Sequence, residues 1–195
     1  MIHLNFPFEI ILGSASPRRQ ELLKTLGFTF KVFSINANED FPETLRSEEI
    51  PLYLAEKKSL AYPQPLHEKE LLITSDTIVW HNSHVLNKPI DLIEAKKMLQ
   101  SLSNSHHTVY SGVCLRTIQT TFCFVDATKV FFRKLTEEEI EFYIHHYTVL
   151  DKAGSYGAQD WIGCIGVERI EGSYFNVMGL PVHRLYTELL SLVNS

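Results

Sequence analysis

The chain has 195 residues, of which 45% are apolar, and its formal net charge is −5. This length is enough to bury a sizeable core, in one domain or in two closely joined lobes. The negative charge argues against a protein that binds nucleic acid regardless of sequence, because such binding needs a broad excess of Lys and Arg. A small polyanionic ligand remains compatible with it, since a few basic residues in one cleft suffice.

The sequence indicates no membrane or export segment. No stretch approaches the roughly 20 consecutive apolar residues of a membrane span, and the N-terminus lacks the basic region and cleavage site of a signal peptide. The three cysteines, Cys114, Cys123 and Cys164, have no C-x-x-C spacing, which argues against a disulfide framework or a structural zinc site. We therefore expect a reduced protein in the cytoplasm.

The first elements are a strand at 8–12, a turn of small residues and a helix. Residues 13–16 let backbone N–H groups approach a ligand, Ser16 suits the N-cap, and Pro17 suits the first helical position. Arg18 and Arg19 then lie in the first turn, where the helix dipole disfavours cations by about 0.3–1 kcal/mol. A bound phosphate would explain them. A capped surface helix with solvated arginines fits the local pattern equally well.

The other elements follow from apolar periodicity and turn residues. Strands are predicted at 28–35, 71–80 and 162–170, and a hairpin at 109–118 and 122–132. Helices are predicted from 47–51 to Pro63, at 91–102, from a capping box at Thr136 to about 147, and at 181–193. Strands that alternate with helices and then form a hairpin indicate a mixed α/β sheet.

Polar residues interrupt the middle of the apolar run at 71–80. Asp76 and Thr77 lie between apolar flanks, where a carboxylate is costly to bury without a partner. Such a carboxylate can hold a divalent cation or accept a proton from an attacking water, whereas the plainer interpretation is an aspartate that caps a turn. Further charged residues fall at the ends of separate elements: Glu39, Lys58, Lys88 and Lys152. Spacing alone leaves open whether they meet in one cleft.

Other motifs do not indicate a second site. The adjacent pairs His106-His107 and His145-His146 point apart on a strand or helix, so neither pair suits one metal ion. The glycines at 154 and 157 lack the Lys-Ser/Thr ending of a P-loop. Ser14 and Ser16 do not form the nucleophile elbow of serine hydrolases.

Three blocks of the chain resemble the Maf family of nucleoside triphosphate pyrophosphatases. They are Ser-x-Ser-Pro-Arg-Arg-x-Glu-Leu-Leu at 14–23, Asp-Lys-Ala-Gly-x-Tyr-Gly-x-Gln at 151–159 and Gly-Ser-Tyr-x-Asn-Val-x-Gly-Leu-Pro at 172–181. Ser75-Asp76-Thr77 and Asn87-Lys88-Pro89 extend the match. The resemblance implies one α/β domain over 1–195, with a mixed sheet centred on antiparallel strands and two lobes around a cleft, like inosine triphosphate pyrophosphatases.

The resemblance also implies a reaction, the hydrolysis of a nucleoside triphosphate to the monophosphate and pyrophosphate with a divalent cation, Mg²⁺ or Mn²⁺. Asp76 matches the proton acceptor and Glu39 an acidic position, and we expect both carboxylates to hold the cation. The resemblance and the element ends together predict these substrate contacts: Ser14, Ser16, Arg18, Arg19, Lys58, Thr77, Lys88, Lys152 and Gln159.

The positions associated with base choice, Arg18, Thr77 and Gln159, are similar to the subgroup that acts on dTTP and UTP. Gln159 offers a donor and an acceptor to a pyrimidine. We therefore expect dTTP, UTP and modified pyrimidine nucleotides as substrates, and the family suggests a homodimer. The alternatives are a 7-methyl-GTP pyrophosphatase of the same fold and a nucleotide-binding regulator of cell division.

Two departures from the family pattern lie beside these positions. Asp160-Trp161 stands where the family usually has Gly-Leu, and Gly13 replaces the commoner Ala. The replacement of Ala by Gly13 is expected to have a mild effect, since glycine only adds backbone freedom. Both departures bear on the selectivity for the base rather than on the reaction.

Overall fold

The computed structural model describes residues 6–194, in which seven strands form one mixed sheet. The strands are β1 (Glu9–Leu12), β2 (Phe30–Val32), β3 (Glu70–His81), β4 (His84–Leu86), β5 (His106–Arg116), β6 (Thr121–Phe132) and β7 (Val167–Glu171). Their order across the sheet is β2-β1-β3-β5-β6-β7, with β4 paired to β3. β1 runs parallel to β2 and β3, and the other pairs are antiparallel. The predicted mixed α/β fold with an antiparallel centre is confirmed.

The helices that flank the sheet are α1 (Pro17–Thr25), α2 (Glu49–Leu60), α3 (Leu92–Leu102), α4 (Glu137–His146), α5 (Trp161–Gly166), α6 (Tyr174–Val177) and α7 (Val182–Asn194). The predicted caps are confirmed, because Ser16 accepts a hydrogen bond from the Arg19 amide and Thr136 forms a capping box with Glu139. Gly27 ends α1 with a φ of 82°, a conformation that favours glycine. Between residues 6 and 194, no helix is long and apolar enough to cross a membrane.

The long strands β3, β5 and β6 pass through two hydrophobic cores. The first core packs α1 and α7 against one half of the sheet and includes Leu23, Ile73 and Leu189. The second packs α3 and α4 against the other half and includes Leu99 and Tyr143. The polar stretch of β3 lies between the two cores, since Ile73 belongs to the first and Val79 to the second.

β3 runs unbroken through this polar stretch, which confirms the strand predicted at 71–80. Residues 75–77 pair in regular antiparallel register with residues 111–113 of β5. Asp76 is buried, with 7% of its surface exposed, on a regular strand. An aspartate that caps a turn is thereby excluded. Side chains from other elements reach two of the polar residues, since Lys58 donates to Asp76 and Arg19 donates to Thr77.

Two predicted strands also differ from the structure. The predicted strand at 162–170 is wrong in its first half, which forms α5, while the second half forms β7. A short apolar run does not distinguish a strand from a buried helix. The helix packs closely, since a Cβ on Gly163 would lie 2.2 Å from the Ala158 carbonyl oxygen. The strand predicted at 28–35 is shorter, with Phe30–Val32 paired to β1.

Gly112 offers a stability test of the contact between α2 and β5. A Cβ on Gly112 would lie 2.1 Å from the Pro51 carbonyl oxygen of α2. Because a backbone atom cannot move aside as a side chain does, Gly112→Ala is expected to destabilise the protein by about 3 kcal/mol. Denaturant unfolding measures the loss.

Gly27→Ala is the matched control. Among the described residues, no atom lies within 4 Å of a Cβ placed there, but its φ of +82° is strained for alanine. A cost of roughly 1 kcal/mol is therefore expected. Equal losses for the two variants would contradict the packing argument.

Candidate active site

A cleft of about 1260 Å³ opens beside the polar middle of β3. Every residue predicted for catalysis, metal binding or substrate contact lines it: Ser14, Ser16, Arg18, Arg19, Glu39, Lys58, Asp76, Thr77, Lys88, Lys152 and Gln159. The turn before α1, the first turn of α1, the loop after β2, the end of α2, the middle of β3, the loop after β4 and the loop before α5 supply these side chains. The structure therefore brings the predicted residues together, while their individual roles stay predictions.

Lys58 joins the two carboxylates of the cleft. Its Nζ lies 2.8 Å from Glu39 Oε1 and 2.5 Å from Asp76 Oδ1, and Lys88 Nζ lies 3.9 Å from Glu39 Oε2. Burial opposes ionisation of Glu39, but the hydrogen bond from Lys58 and the charges of Lys58 and Lys88 hold the pKa of Glu39 below its ordinary value. Glu39 is therefore a carboxylate at neutral pH.

Arg19 chiefly binds the protein itself. Its guanidinium donates to the Gly179 carbonyl at 3.0 Å, to the Ser75 carbonyl at 2.8 Å, and to Thr77 Oγ1 at 3.2 Å. A fourth bond reaches Ser14 Oγ at 3.4 Å. Within the described chain these four bonds leave one of the five N–H groups of arginine for a ligand. Arg19 thus fixes the turn before α1 against β3.

Arg18 differs from its neighbour. Its Nη1 lies 3.1 Å from Asp151 Oδ2, and about a third of its side chain is exposed to the cleft. This pair is exposed enough to be weak, so an anion in the cleft can compete for Arg18. The two adjacent arginines therefore have separate tasks.

The expectation that Gly13 only adds backbone freedom needs correction. A Cβ on Gly13 would lie 2.6 Å from Ile35 Cδ1 and 2.7 Å from Thr74 Cγ2. These two side chains occupy the room that an alanine would need. Glycine at this position therefore also allows closer packing of the turn on β3.

Lys152 and Gln159 line the cleft from the loop before α5. Lys152 is buried, and its Nζ lies 3.1 Å from Asp151 Oδ1 and 3.4 Å from Asp160 Oδ2. Gln159 is exposed, so its amide is accessible to a ligand. This loop thus presents one cation and one amide to the cleft.

Tyr156, which also lines the cleft, contacts a buried histidine. Its Oη lies 2.7 Å from His107 Nε2. Burial, together with the neighbouring His81 and His106, lowers the pKa of His107 to about 3, so the imidazole is neutral. His107 supports the cleft wall, a role that the pattern of adjacent histidines does not indicate.

Glu39 and Asp76 form a donor set that fits a divalent cation bound together with phosphate groups. Within residues 6–194, no group of three or more His, Cys, Asp or Glu side chains is arranged to hold a metal ion. Mg²⁺ is commonly held by one or two carboxylates, with water and substrate phosphates as the remaining ligands. The carboxylates therefore suit a cation that arrives with its substrate.

Sequence reasoning missed three contributors to the cleft: Asp151 as the partner of Arg18, the Gly179 carbonyl as the partner of Arg19, and Tyr156 in the wall. Asp151, Tyr156 and Gly179 all lie in the quoted sequence blocks. Their roles depend on contacts between residues more than 100 positions apart or on burial. No local spacing rule reports such contacts.

Comparison with known proteins gives a consistent family match. The family model described as Maf-like protein matches residues 9–192. A dTTP/UTP pyrophosphatase of Phocaeicola vulgatus is 52% identical over 186 residues, which cover 95% of this chain and 96% of that protein. A dTTP/UTP pyrophosphatase of Bacteroides fragilis is 50% identical with the same coverage. One of Flavobacterium psychrophilum is 49% identical and covers 94% of each chain.

A solved structure is also similar in part. It is described as a nucleoside-triphosphatase / dITP/XTP pyrophosphatase from Mycobacterium abscessus and is 16% identical in sequence. The match covers 71% of this chain and 94% of that chain, with a TM-score of 0.37.

The buried His107 predicts a pH dependence of stability. Its pKa is 6.5 when exposed and about 3 in the folded protein, so the unfolded chain takes up the proton first as the pH falls. The contribution of the neutral His107 imidazole to the free energy of unfolding is fully present above about pH 6.5. It is lost as the pH falls towards 3, at about 1.4 kcal/mol per pH unit. Denaturant unfolding at several pH values measures this slope.

His107→Asn should flatten the slope of the free energy of unfolding against pH between pH 6.5 and 5. Most carboxylates do not yet titrate in this range. His84→Asn is the control, because His84 is exposed on β4 and its replacement should leave the slope unchanged. A His107→Asn protein with the wild-type slope would contradict a neutral buried imidazole.

Proposed function

We infer, since the chain belongs to the family of Maf-like proteins, that it is a hydrolase that converts dTTP and UTP to their monophosphates and pyrophosphate. The observation that carries this function is the meeting of Glu39 and Asp76 with several cations in one cleft. The relatives named dTTP/UTP pyrophosphatase are about half identical to it over nearly their whole length.

We propose that Asp76 accepts a proton from the water that attacks the α-phosphorus. The new bond forms between the water oxygen and phosphorus, while the bond to the bridging oxygen breaks and pyrophosphate leaves. Asp76 suits this role because it lies buried on a regular strand, where its position is fixed. A cation held by Glu39 and Asp76 would supply neutralisation of the phosphate charge.

Lys58 has two roles in this proposal. In the described structure its ammonium group is hydrogen-bonded to both carboxylates, which keeps them together before a substrate binds. It also lines the cleft with Lys88, Lys152 and Arg18, so that the phosphates meet cations on more than one side. Fixed charges in a site that excludes water stabilise the charge that develops during reaction.

For the base, we propose that Gln159 contacts the pyrimidine. Its exposed amide offers both a donor and an acceptor, as the carbonyl and imide edge of uracil or thymine requires. Thr77 takes part indirectly, since its hydroxyl lies 2.9 Å from Ser111 Oγ and accepts from Arg19. The same site would accept modified pyrimidine nucleotides whose imide edge is unchanged.

We also propose that the protein acts as a homodimer in the cytoplasm, and that nucleic acids and membranes are not partners. The net charge of −5 supports the exclusion of nucleic acid. The dimer is carried over from the family resemblance.

The proton-acceptor role predicts the effect of one substitution. Asp76→Asn keeps the shape of the side chain but removes its charge, so kcat for UTP is expected to fall by about 10²–10⁴-fold. Steady-state release of pyrophosphate measures the loss. Asp91→Asn is the control, because Asp91 caps α3 outside the cleft and asparagine caps helices equally well. A folded Asp76→Asn protein with wild-type turnover would exclude the role.

A panel of nucleotides tests the reaction itself. With Mg²⁺ or Mn²⁺ we expect pyrophosphate and a monophosphate from dTTP and UTP, slower reaction with 7-methyl-GTP, and loss of activity on chelation that added metal restores. Orthophosphate as the direct product would contradict attack at the α-phosphorus. Binding of UTP without hydrolysis would favour the alternative function, a nucleotide-binding regulator of cell division.

A further inference from the structure

We propose that Asp160 and Tyr143 are positioning residues that hold the turn at 157–159, and with it Gln159, in the arrangement that selects dTTP and UTP. The inference rests on the proposed function, because it takes Gln159 as the residue that contacts the base. It also accounts for the aspartate that stands where the family usually has glycine.

The hydroxyl of Tyr143 connects α4 to this turn. Tyr143 Oη donates to Asp160 Oδ2 at 2.7 Å and accepts the Gly157 N–H at 3.1 Å. A carboxylate accepts hydrogen bonds and an amide N–H donates them, so the direction of both bonds is fixed. Burial and the hydrogen bond to Asp160 raise the pKa of Tyr143, which keeps the hydroxyl protonated.

The carboxylate of Asp160 is directed to these partners rather than to its own helix. Asp160 occupies the N-cap of α5, a position that aspartate often caps, yet in the described part of the chain it makes no capping hydrogen bond. Its Oδ2 instead lies close to Tyr143 and 3.4 Å from Lys152 Nζ. The side chain is thus used to fix the loop.

The turn itself leaves little room for movement. The Asp160 N–H donates to the Gly157 carbonyl at 3.0 Å, which closes the turn around Gln159. A Cβ on Gly157 would lie 2.6 Å from Asp160 Oδ2 and 3.0 Å from Gln159 Nε2. The Asp160 carboxylate and the Gln159 side-chain amide both lie close to Gly157. A shift of Asp160 therefore also moves the turn that carries Gln159.

The same charges reach Arg18, which is also assigned to base choice. Lys152 Nζ lies between Asp160 Oδ2 at 3.4 Å and Asp151 Oδ1 at 3.1 Å. Asp151 in turn lies 3.1 Å from Arg18 Nη1. Asp160 therefore belongs to a chain of alternating charges that joins the Gln159 loop to the start of α1.

Tyr143→Phe in the intact protein tests the proposal. It removes the hydroxyl and leaves the buried ring, so we expect KM for UTP and dTTP to rise about tenfold with kcat nearly unchanged. The preference for UTP over ATP should fall by a similar factor, because the triphosphate contacts are untouched. The Gly157 amide should exchange its hydrogen faster, which mass spectrometry of hydrogen exchange detects at 156–160.

Tyr62→Phe is the matched control. Tyr62 is also buried, and its hydroxyl bonds Gln64 outside the cleft. It should change neither the UTP preference nor exchange at 156–160. A purely structural role of Tyr143 would lower activity with all nucleotides alike and leave the preference unchanged.

Asp160→Ala gives a second route if Tyr143→Phe does not fold. It should reproduce the rise in KM and the faster exchange, while Asp160→Glu, which keeps the charge, should restore part of the preference. Unchanged preference in folded variants would overturn the proposal. If the wild-type protein releases no pyrophosphate from UTP, the proposed function fails, and unchanged exchange at 156–160 would separately show that Tyr143 and Asp160 do not hold the turn.

Discussion

The structure depends on the burial of the Asp76 carboxylate in the middle of β3. A buried charge without a partner is costly, so a cation must reach it from another element. Lys58 does so from the end of α2, and the close approach of Pro51 to Gly112 fixes α2 on the sheet. The packing of α2 on the sheet therefore determines where Lys58 lies, and with it the distance between the Lys58 ammonium group and the Asp76 carboxylate.

Arg19 imposes a similar constraint on the other side of the cleft. Its bonds to the carbonyls of Ser75 and Gly179 join α1, β3 and the segment before α7. An arginine in the first turn of a helix is unfavourable for that helix alone. Here the carbonyl partners compensate for the dipole, whereas Arg18 stays accessible from the cleft. Two adjacent arginines with one sequence signature therefore differ in the structure, since Arg19 is bonded to the protein and Arg18 is partly exposed in the cleft.

Part of the fold and of the candidate site could be predicted from residues that are neighbours in the sequence. The caps at Ser16 and Thr136 follow from neighbouring residues, and Asp76 between apolar flanks indicated a partnered carboxylate. The helix at the start of 162–170 could not be predicted, since its apolar run fits a strand equally well. The carbonyls that bind Arg19 also carry no sequence signal, because every residue has one and only the tertiary fold selects which are used.

The departure from the family pattern at Asp160 shows why a residue beside a functional position must be judged by its contacts. In the sequence it casts doubt on base selection, because a charge next to Gln159 could face the ligand. In the structure the carboxylate lies against Tyr143 and Lys152, where it neutralises a buried ammonium group and fixes the polarity of the tyrosine hydroxyl. A charge used in this way stabilises the wall of the cleft without changing the groups that the wall presents, so the amide of Gln159 stays exposed in the cleft.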